Sequence, residues 1–295
     1  MITLKAFAKI NIALDIVGRR DDGYHLVDMI MQDINLFDIL SFEKIEDKKG
    51  EVVIKLVKPD SNIPLDDKNL ITKAIKKMME LYNIKDSVKV ILDKRIPAAA
   101  GMAGGSTDCA AAIKAMNEMF SLNLSMDEMK EVGVKLGADV PYCLVGKTKR
   151  ARGIGEILDD INEMPENLYY LIAKPEGGIS TKEMYEAYDS LSDIKHPDIE
   201  SLIESIDKGD IEGIRDNMGN VLEIVTSQRV KAVKEIEDIM NENDAIVSMM
   251  TGSGPTVFGI YDDINKADKT KQLIGEVLSK EGIKVDLFVV GTPEK

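Results

Sequence analysis

Apolar side chains occupy Ile2, Leu4, Ala6, Ala8, Ile10, Ile12, Leu14 and Ile16, every second position of one unbroken run. A period of two puts them on one face of a β-strand, so the chain opens on a long strand with one side that needs a core to cover it. The odd positions face elsewhere. Lys9 and Asn11 therefore stand side by side on the opposite face, where both can reach one ligand. A face of this kind can equally well meet water, as half-buried strands commonly do.

A second stretch, "RIPAAAGMAGGSTDCAAA" from Arg95 to Ala112, places a long run of small residues between a proline and a helix start. Ser106, Thr107 and Asp108 supply the capping chemistry for an Ala-rich helix that runs to about Phe120. Bare backbone before a helix lets a polyphosphate approach the main chain, with amide donors and the helix dipole behind it. The competing explanation is a helix packed closely on a sheet, which needs Gly and Ala for clearance. Other phosphate loops do not fit. The one Gly-Lys-Thr, Gly146 to Thr148, has Pro141 where a Walker A loop needs its first glycine, and Gly101, Gly104 and Gly105 lack dinucleotide spacing. "GIGEIL", Gly153 to Leu158, lacks the third glycine of a protein-kinase loop.

The remaining pattern is mixed. A turn at Asp22-Gly23 precedes Tyr24, His25 and strand-like sequence; "EVVIKLV" and "SVKVILDKRI" read as strands around an amphipathic helix that Asp66 or Asp67 would cap. Ser125 and Glu128 form a capping box for a helix ending near Gly137, and Asp139 follows where the chain turns. After an acidic stretch between Gly155 and Asn167 come the strand "LYYLIAKP", helices over about 180–191, 198–206 and 211–241, strands "AIVSMM" and "TVFGIY" joined by "TGSGP", a helix over about 265–281 and the strand "KVDLFVV". Strands and helices without regular alternation predict an α+β protein of two domains, 1–157 and 158–295.

Its 295 residues, 44% hydrophobic and 31% charged, suit a globular protein. A formal charge of −14 opposes nucleic-acid binding, which needs a broad basic surface. The cluster Lys147, Lys149, Arg150 and Arg152 reads as a solvated loop, or alternatively as a small phosphate patch. No run of about 18 apolar residues is present and Lys5, Lys9 and Asp15 interrupt the first apolar stretch, so neither a membrane span nor a signal peptide is expected and the cytoplasm is the expected location. Cys109, Cys143, His25 and His196 are spaced too irregularly for a zinc site, which predicts reduced thiols and no structural metal.

Pro97 to Thr107 resembles the second motif of the GHMP-superfamily kinases, roughly P-x-G-x-G-L-G/A-S/G-S, with Ala99 in place of the first motif glycine. "AKINIALDIVGRRDDGYH", "LGADVPYCLVG" and "TGSGPTVFG" are similar, in order, to the blocks of the branch that phosphorylates 4-diphosphocytidyl-2-C-methyl-D-erythritol. The resemblance implies a GHMP fold, with a left-handed βαβ crossover in the N-terminal domain and a ferredoxin-like α/β sandwich in the C-terminal one. It implies ATP-dependent phosphorylation of the substrate's 2-hydroxyl in the non-mevalonate isoprenoid pathway, with ATP and Mg²⁺, and a monomer or weak homodimer that binds neither nucleic acid nor membrane. ATP would lie on Pro97, Ala98, Ala99, Ala100, Gly101, Met102, Ala103, Gly104, Gly105, Ser106 and Thr107, with Lys94 and Asn69 near the nucleoside and the metal near Ser106. Lys9 and Asp139 would be catalytic, Asn11, Tyr24, His25 and Thr181 would hold the substrate, and Gly252 to Gly254 would close the site. Phosphoryl transfer needs such parts: positioned phosphates, a carboxylate for the hydroxyl proton and a cation for developing charge. The alternatives are a homoserine or mevalonate kinase, or a nucleotide-binding module without catalysis. An aromatic ring and an imidazole at "GYH" favour an acceptor that carries a base, and retention of both Lys9 and Asp139 favours an enzyme.

Overall fold

The computed structural model describes residues 1–58 and 63–293, apart from the side chains of 181 and 182. The chain forms two units. The first is Met1–Ala8, Leu36–Ala98 and Ala103–Gly146; the second is Lys9–Asn35, Ala99–Met102 and Lys147–Lys295. Two long strands, β1 (Ile2–Arg19) and β2 (His25–Ile45), contribute residues to both.

In the first unit follow β3 (Val52–Leu56), α1 (Leu70–Leu81), β4 (Ser87–Asp93), α2 (Gly104–Met119), α3 (Met126–Val134) and α4 (Val140–Val145). Residues Ile39 to Ile45 of β2 pair antiparallel with β4, and β3 runs parallel to β4 from Val52–Val88 to Leu56–Leu92. β3, α1 and β4 thus make one parallel crossover. Ile71, Ala74, Ile75 and Met78 recur at helical spacing on α1 and bury against Cys109, Ala112, Ile113 and Met116 of α2 and Phe42, Val90 and Leu92 of the sheet. The Ala-rich face of α2 leaves room for this close packing.

The second unit adds β5 (Lys149–Gly153), β6 (Ile157–Asp160), β7 (Tyr169–Pro175), α5 (Thr181–Tyr188), α6 (Ile199–Lys208), α7 (Ile211–Asn217), β8 (Gly219–Asn220), α8 (Glu223–Arg229), α9 (Lys231–Glu242), β9 (Val247–Met250), β10 (Val257–Tyr261), α10 (Ile264–Lys280) and β11 (Val285–Val290). Four strands form an antiparallel sheet in the order β11-β7-β10-β9. With α9 before β9 and α10 before β11, the sequence of elements is the βαββαβ of a ferredoxin-like sandwich, as expected. Tyr170, Ile172, Phe258 and Ile260 of the sheet are buried, as are Val233, Ile236 and Met240 of α9 and Ile274 and Leu278 of α10.

Five local expectations are corrected. Residues 211–241 are three helices, because Gly219 and Asn220 pair with Ala13 and Leu14 of β1 as β8, and Val230 leaves helical geometry between α8 and α9. The cap of α1 is Asn69, whose Oδ1 accepts from Ile71 N at 2.8 Å; Asp66 instead closes the preceding turn onto Lys68 N. α2 begins at Gly104, with Ala103 as a left-handed N-cap without a side-chain bond, so Ser106, Thr107 and Asp108 lie inside the helix. Lys9 and Asn11 do not meet water: they are 5% and 0% exposed. The basic cluster is neither loop nor phosphate patch. It lies on and just before β5, where Arg150 pairs with Asp28 and Glu200, Arg152 with Asp159, Lys149 with Asp160 and Lys147 with Glu163.

One buried ionic cluster joins the parts of the first unit. The Lys94 ammonium contacts Asp38 and, at 2.9 Å, Asp108, while Asp38 Oδ1 accepts from Arg95 N and Ile96 N at 2.6 and 2.9 Å. Two carboxyls share one ammonium, and Asp108 Oδ1 has no hydrogen-bond partner among the described residues. Burial pushes the Asp108 carboxyl up to about 8, against the pull of Lys94 and with Asp38 adding to the rise. A proton held more tightly in the folded chain contributes stability at low pH that is lost as pH rises through the folded pKa. Stability is therefore expected to fall as pH rises from the ordinary carboxylate range to about 8 and to level off above it. The near-isosteric Asp108→Asn removes the titration and should flatten that fall. Urea midpoints measured across this range check it; parallel profiles for both proteins would contradict it.

Candidate active site

The small-residue loop holds an unusual backbone, with φ of 49° at Ala99, 72° at Gly101 and 54° at Ala103. Left-handed geometry favours glycine, and at Gly101 a side chain is doubly excluded. A Cβ there would lie 2.5 Å from the Thr251 carbonyl oxygen and 3.2 Å from Gly254 N; a Cβ on Gly252 would lie 2.8 Å from Gly101 O. In the second unit the two glycine segments thus meet main chain to main chain. In the first unit, a Cβ on Gly104 would come within 3.0 Å of Ile96 Cγ2 and 3.1 Å of Lys94 Nζ. Clearance at Gly101 and Gly104 is used by the protein itself, so the packing explanation holds at these two positions. Gly105 differs: it is exposed, and its nearest neighbour is Leu70 Cδ1 at 3.5 Å.

The loop's capacity for anions rests on its amides. Gly104, Gly105 and Ser106 form the first turn of α2, and their N–H groups have no acceptor among the described residues. A sixteen-residue helix directs its positive end at that turn. Ser106 is half-buried, Thr107 buried, Pro97 half-buried, Ala98 and Ala99 exposed, and Ala100 and Met102 buried. Thr107 N closes onto Ala103 O at 2.9 Å.

Loop residues 99–102 bring Lys9 with them. Lys9 N donates to Met102 O at 3.2 Å, and its ammonium donates to Asn11 Oδ1 at 2.6 Å. Asn11 is itself fixed, with N donating to Thr251 Oγ1 at 2.8 Å and Nδ2 to Met29 Sδ at 3.3 Å. Asn220 Nδ2 donates to Met250 O and Gly252 O, each at 2.9 Å, and so holds the segment that carries Thr251. Among the described residues Lys9 has no carboxylate partner. A buried cation against a single neutral acceptor is poorly compensated, so this position favours an anionic ligand. Thr251 and Asn220 are not evident in the sequence; a Thr before a glycine turn and a lone Asn carry no signal that says which strand they face.

Asp139 stands at the N-cap of α4, half-buried, and makes no capping bond. Its carboxylate has no partner among the described residues. The turn before it approaches α2, since a Cβ on Gly137 would lie 3.9 Å from Ser106 Oγ. Asn69 is committed to structure: besides capping α1, its Nδ2 donates to Pro64 O at 2.7 Å. The Lys94 ammonium is likewise taken up by Asp38 and Asp108.

The turn Arg20 to Tyr24 is closed by Arg20 N on Tyr24 O at 2.8 Å, leaving Tyr24 61% exposed. His25 begins β2 with its ring buried, stacked on Tyr185 with centroids 4.5 Å apart and 14° between planes. Its Nε2 lies 2.6 Å from Asp189 Oδ1. Neither Tyr185 nor Asp189 is among the residues singled out from the sequence. Thr181 is the first residue of α5, and its side chain lies outside the described residues.

The family described as GHMP kinases N terminal domain matches residues 69–147, and that described as GHMP kinases C terminal matches 202–280. A 4-diphosphocytidyl-2-C-methyl-D-erythritol kinase of Clostridium botulinum (strain Alaska E43 / Type E3) is 46% identical over 98% of this chain and 99% of its own length. Among solved structures, a 4-(cytidine 5'-diphospho)-2C-methyl-D-erythritol kinase superposes with a TM-score of 0.77 at 24% identity, covering 99% of this chain and 100% of that one. The homoserine kinase of Cytophaga hutchinsonii gives 0.78 at 19% identity, covering 99% and 94%. Likeness at that level speaks for the fold alone and does not choose between acceptors. With both domain families matched in order and a relative at 46% identity over nearly the whole of both chains, the chain belongs to the GHMP kinase family.

Proposed function

We propose that the chain transfers the γ-phosphoryl group of ATP to the 2-hydroxyl of 4-diphosphocytidyl-2-C-methyl-D-erythritol, giving the 2-phosphate and ADP for isoprenoid precursor synthesis. The observation that carries the reading is the near-full-length similarity at 46% identity to a kinase named for that acceptor. The site chemistry supports it. Unpaired amides of Gly104, Gly105 and Ser106 at a helix N-terminus suit phosphate oxygens, and the Ser106 and Thr107 hydroxyls stand beside them. Mg²⁺ would be held jointly by the triphosphate and a hydroxyl such as that of Ser106, where it neutralises phosphate charge. Lys94 and Asn69 act on this end through the elements they brace.

In this reading Asp139, whose carboxylate has no partner among the described residues, accepts or orients the proton of the acceptor hydroxyl. Lys9, fixed by Asn11 and Met102 O, neutralises charge on the transferring group. Tyr24 and His25, with Thr181, hold the cytidine diphosphate portion. The N-terminal part, 1–157, would carry ATP and the catalytic groups, and 158–295 would form the second domain.

Three outcomes are expected. Asp139→Asn should fold normally and lose turnover on the order of 10²-fold, since an amide cannot take the proton, and Lys9→Ala should behave likewise. Steady-state kinetics on both variants checks this, and near-normal turnover in either removes its catalytic role. Gly105→Val has room to fold and should weaken ATP binding more than acceptor binding in calorimetry, whereas Gly104→Val collides with Ile96 and is the control for packing. Equal loss for both ligands in the Gly105 variant would exclude phosphate contact there. The acceptor itself is settled by a panel assay. The cytidine diphosphate conjugate should be phosphorylated, and methylerythritol phosphate, homoserine and mevalonate left untouched; preferred turnover of either of the last two would overturn the assignment.

A further inference from the structure

Met250 ends β9 at the open edge of its sheet, where a buried N–H and C=O that point away from the neighbouring strand need partners from elsewhere. Side chains of one short segment supply both. Met250 N donates to Glu223 Oε2 at 2.7 Å, and Met250 O accepts from Asn220 Nδ2 at 2.9 Å. The next residue, Thr251, is fully buried, and its Oγ1 accepts from Asn11 N at 2.8 Å. Asn11 Oδ1 is in turn the acceptor of the Lys9 ammonium. Glu223 therefore stands at the far end of a bonded series that runs through Met250, Thr251 and Asn11 to Lys9, all within the second unit. The Glu223 carboxyl is also hydrogen-bonded to that of Glu237 on α9. Two carboxyls in one hydrogen bond hold a proton between them, and because Glu223 already accepts from Met250 N the proton belongs to Glu237. Glu237 is 5% exposed, and its Oε1 has no hydrogen-bond partner among the described residues. Burial, with Glu223 adding to the rise, pushes the Glu237 carboxyl up to about 9. Lys234 and Asp238, both on α9 and paired with each other, are the other charged groups that act on it; β9 and β10 carry no charged side chain, and Arg229 at the end of α8 acts on Glu183.

We propose that Glu223, held by the protonated carboxyl of Glu237, is a positioning residue for phosphoryl transfer: it fixes the Met250–Thr251 segment on which Asn11, and through it the Lys9 ammonium, is aligned. This rests on the catalytic role proposed for Lys9. Asn11 Oδ1 is the one acceptor of that ammonium among the described residues, so a shift of Asn11 moves the charge meant for the transferring group. A stabilising group out of place by a fraction of an ångström loses much of its effect on the reaction. The arrangement lasts while the shared proton is present. Once it leaves, neither carboxyl can donate, two negative charges lie side by side in a poorly solvated place, and their repulsion acts on the carboxylate that holds Met250 N. A pKa raised by burial means that the hold is present below about 9 and is lost as pH rises through that value.

The test uses the full chain with ATP and the cytidine diphosphate conjugate as substrates. Glu223→Ala should lower kcat by about tenfold or more and leave the KM for ATP unchanged. Glu237→Gln keeps a donor towards Glu223 and cannot ionise. Its turnover near neutral pH should stay within about twofold of wild type, and the loss that wild type shows around pH 9 should move to higher pH. A readout apart from activity is the Thr251 methyl signal in ¹³C–¹H spectra, assigned by its disappearance in Thr251→Ser, which keeps the hydroxyl. That signal should titrate with a midpoint near 9 in wild type and stay constant over the same range in Glu237→Gln. Wild-type kcat in a folded Glu223→Ala overturns the proposal, as does a Thr251 signal that titrates alike in wild type and Glu237→Gln. Where Glu223→Ala fails to fold, the two Glu237 comparisons decide, and an alkaline loss at the same pH in both proteins overturns it. Lys9→Ala separates the two levels of the argument. If that variant keeps wild-type turnover, the catalytic reading of Lys9 falls and this inference with it; if it loses turnover while Glu223→Ala does not, the inference alone falls.

Discussion

The contact between the Gly101 segment and Thr251–Gly252, two stretches of main chain packed directly on each other, governs the arrangement of the second unit's functional groups. Side chains at either glycine would separate them. Their approach puts Met102 O on Lys9 N and Thr251 Oγ1 on Asn11 N, so one stretch of β1 is bonded on both sides of its polar pair. Lys9 and Asn11 are then held by backbone and by each other, with little rotameric freedom left to lose when a ligand binds.

The two buried lysines of the polar machinery are treated in opposite ways. Lys94 faces two carboxylates, and the excess negative charge is relieved by a proton retained near Asp108. In that cluster the lysine's charge is met by carboxyls, and its effect is to fasten the end of β4 to β2 and α2. Lys9 faces one amide oxygen and no carboxylate among the described residues. Paired buried charge makes structure, whereas unpaired buried charge is tolerated where a ligand completes it. Asp139 follows the same division, being a half-buried carboxylate at a helix start that does not cap the helix it precedes.

Much of the fold was legible because it rests on local pattern. The alternation from Ile2 to Ile16, the capping box of Ser125 and Glu128 and the helical spacing of Ile71, Ala74, Ile75 and Met78 each bury the face they predict. The motif blocks around Lys9, Pro97 to Thr107 and Asp139 led to the GHMP family, which the domain matches and the near-full-length relative bear out. Misreadings fell where a distant partner outweighed local preference: Gly219 and Asn220 leave a helical run to pair with β1, and the lysines and arginines of 147–152 find carboxylates on β2, β6, α6 and the segment after β6.

By itself the sequence determined most element types, since periodicity, caps and turns act over a few residues, and its motifs carried the resemblance that implied the ferredoxin-like order of the second half and the candidate residues for phosphoryl transfer. Only the tertiary structure decided what each polar residue is used for. It spent Asn69 on a helix cap and Lys94 on an ion cluster, left Lys9 and Asp139 without counter-charges among the described residues, and set Asp189 and Tyr185 on His25 across more than 150 positions of sequence. It also showed that Gly101 and Gly104 are bare because protein atoms occupy the space beside them. Such pairings depend on which atoms come within about 3 Å of each other after folding, and no local pattern encodes that distance.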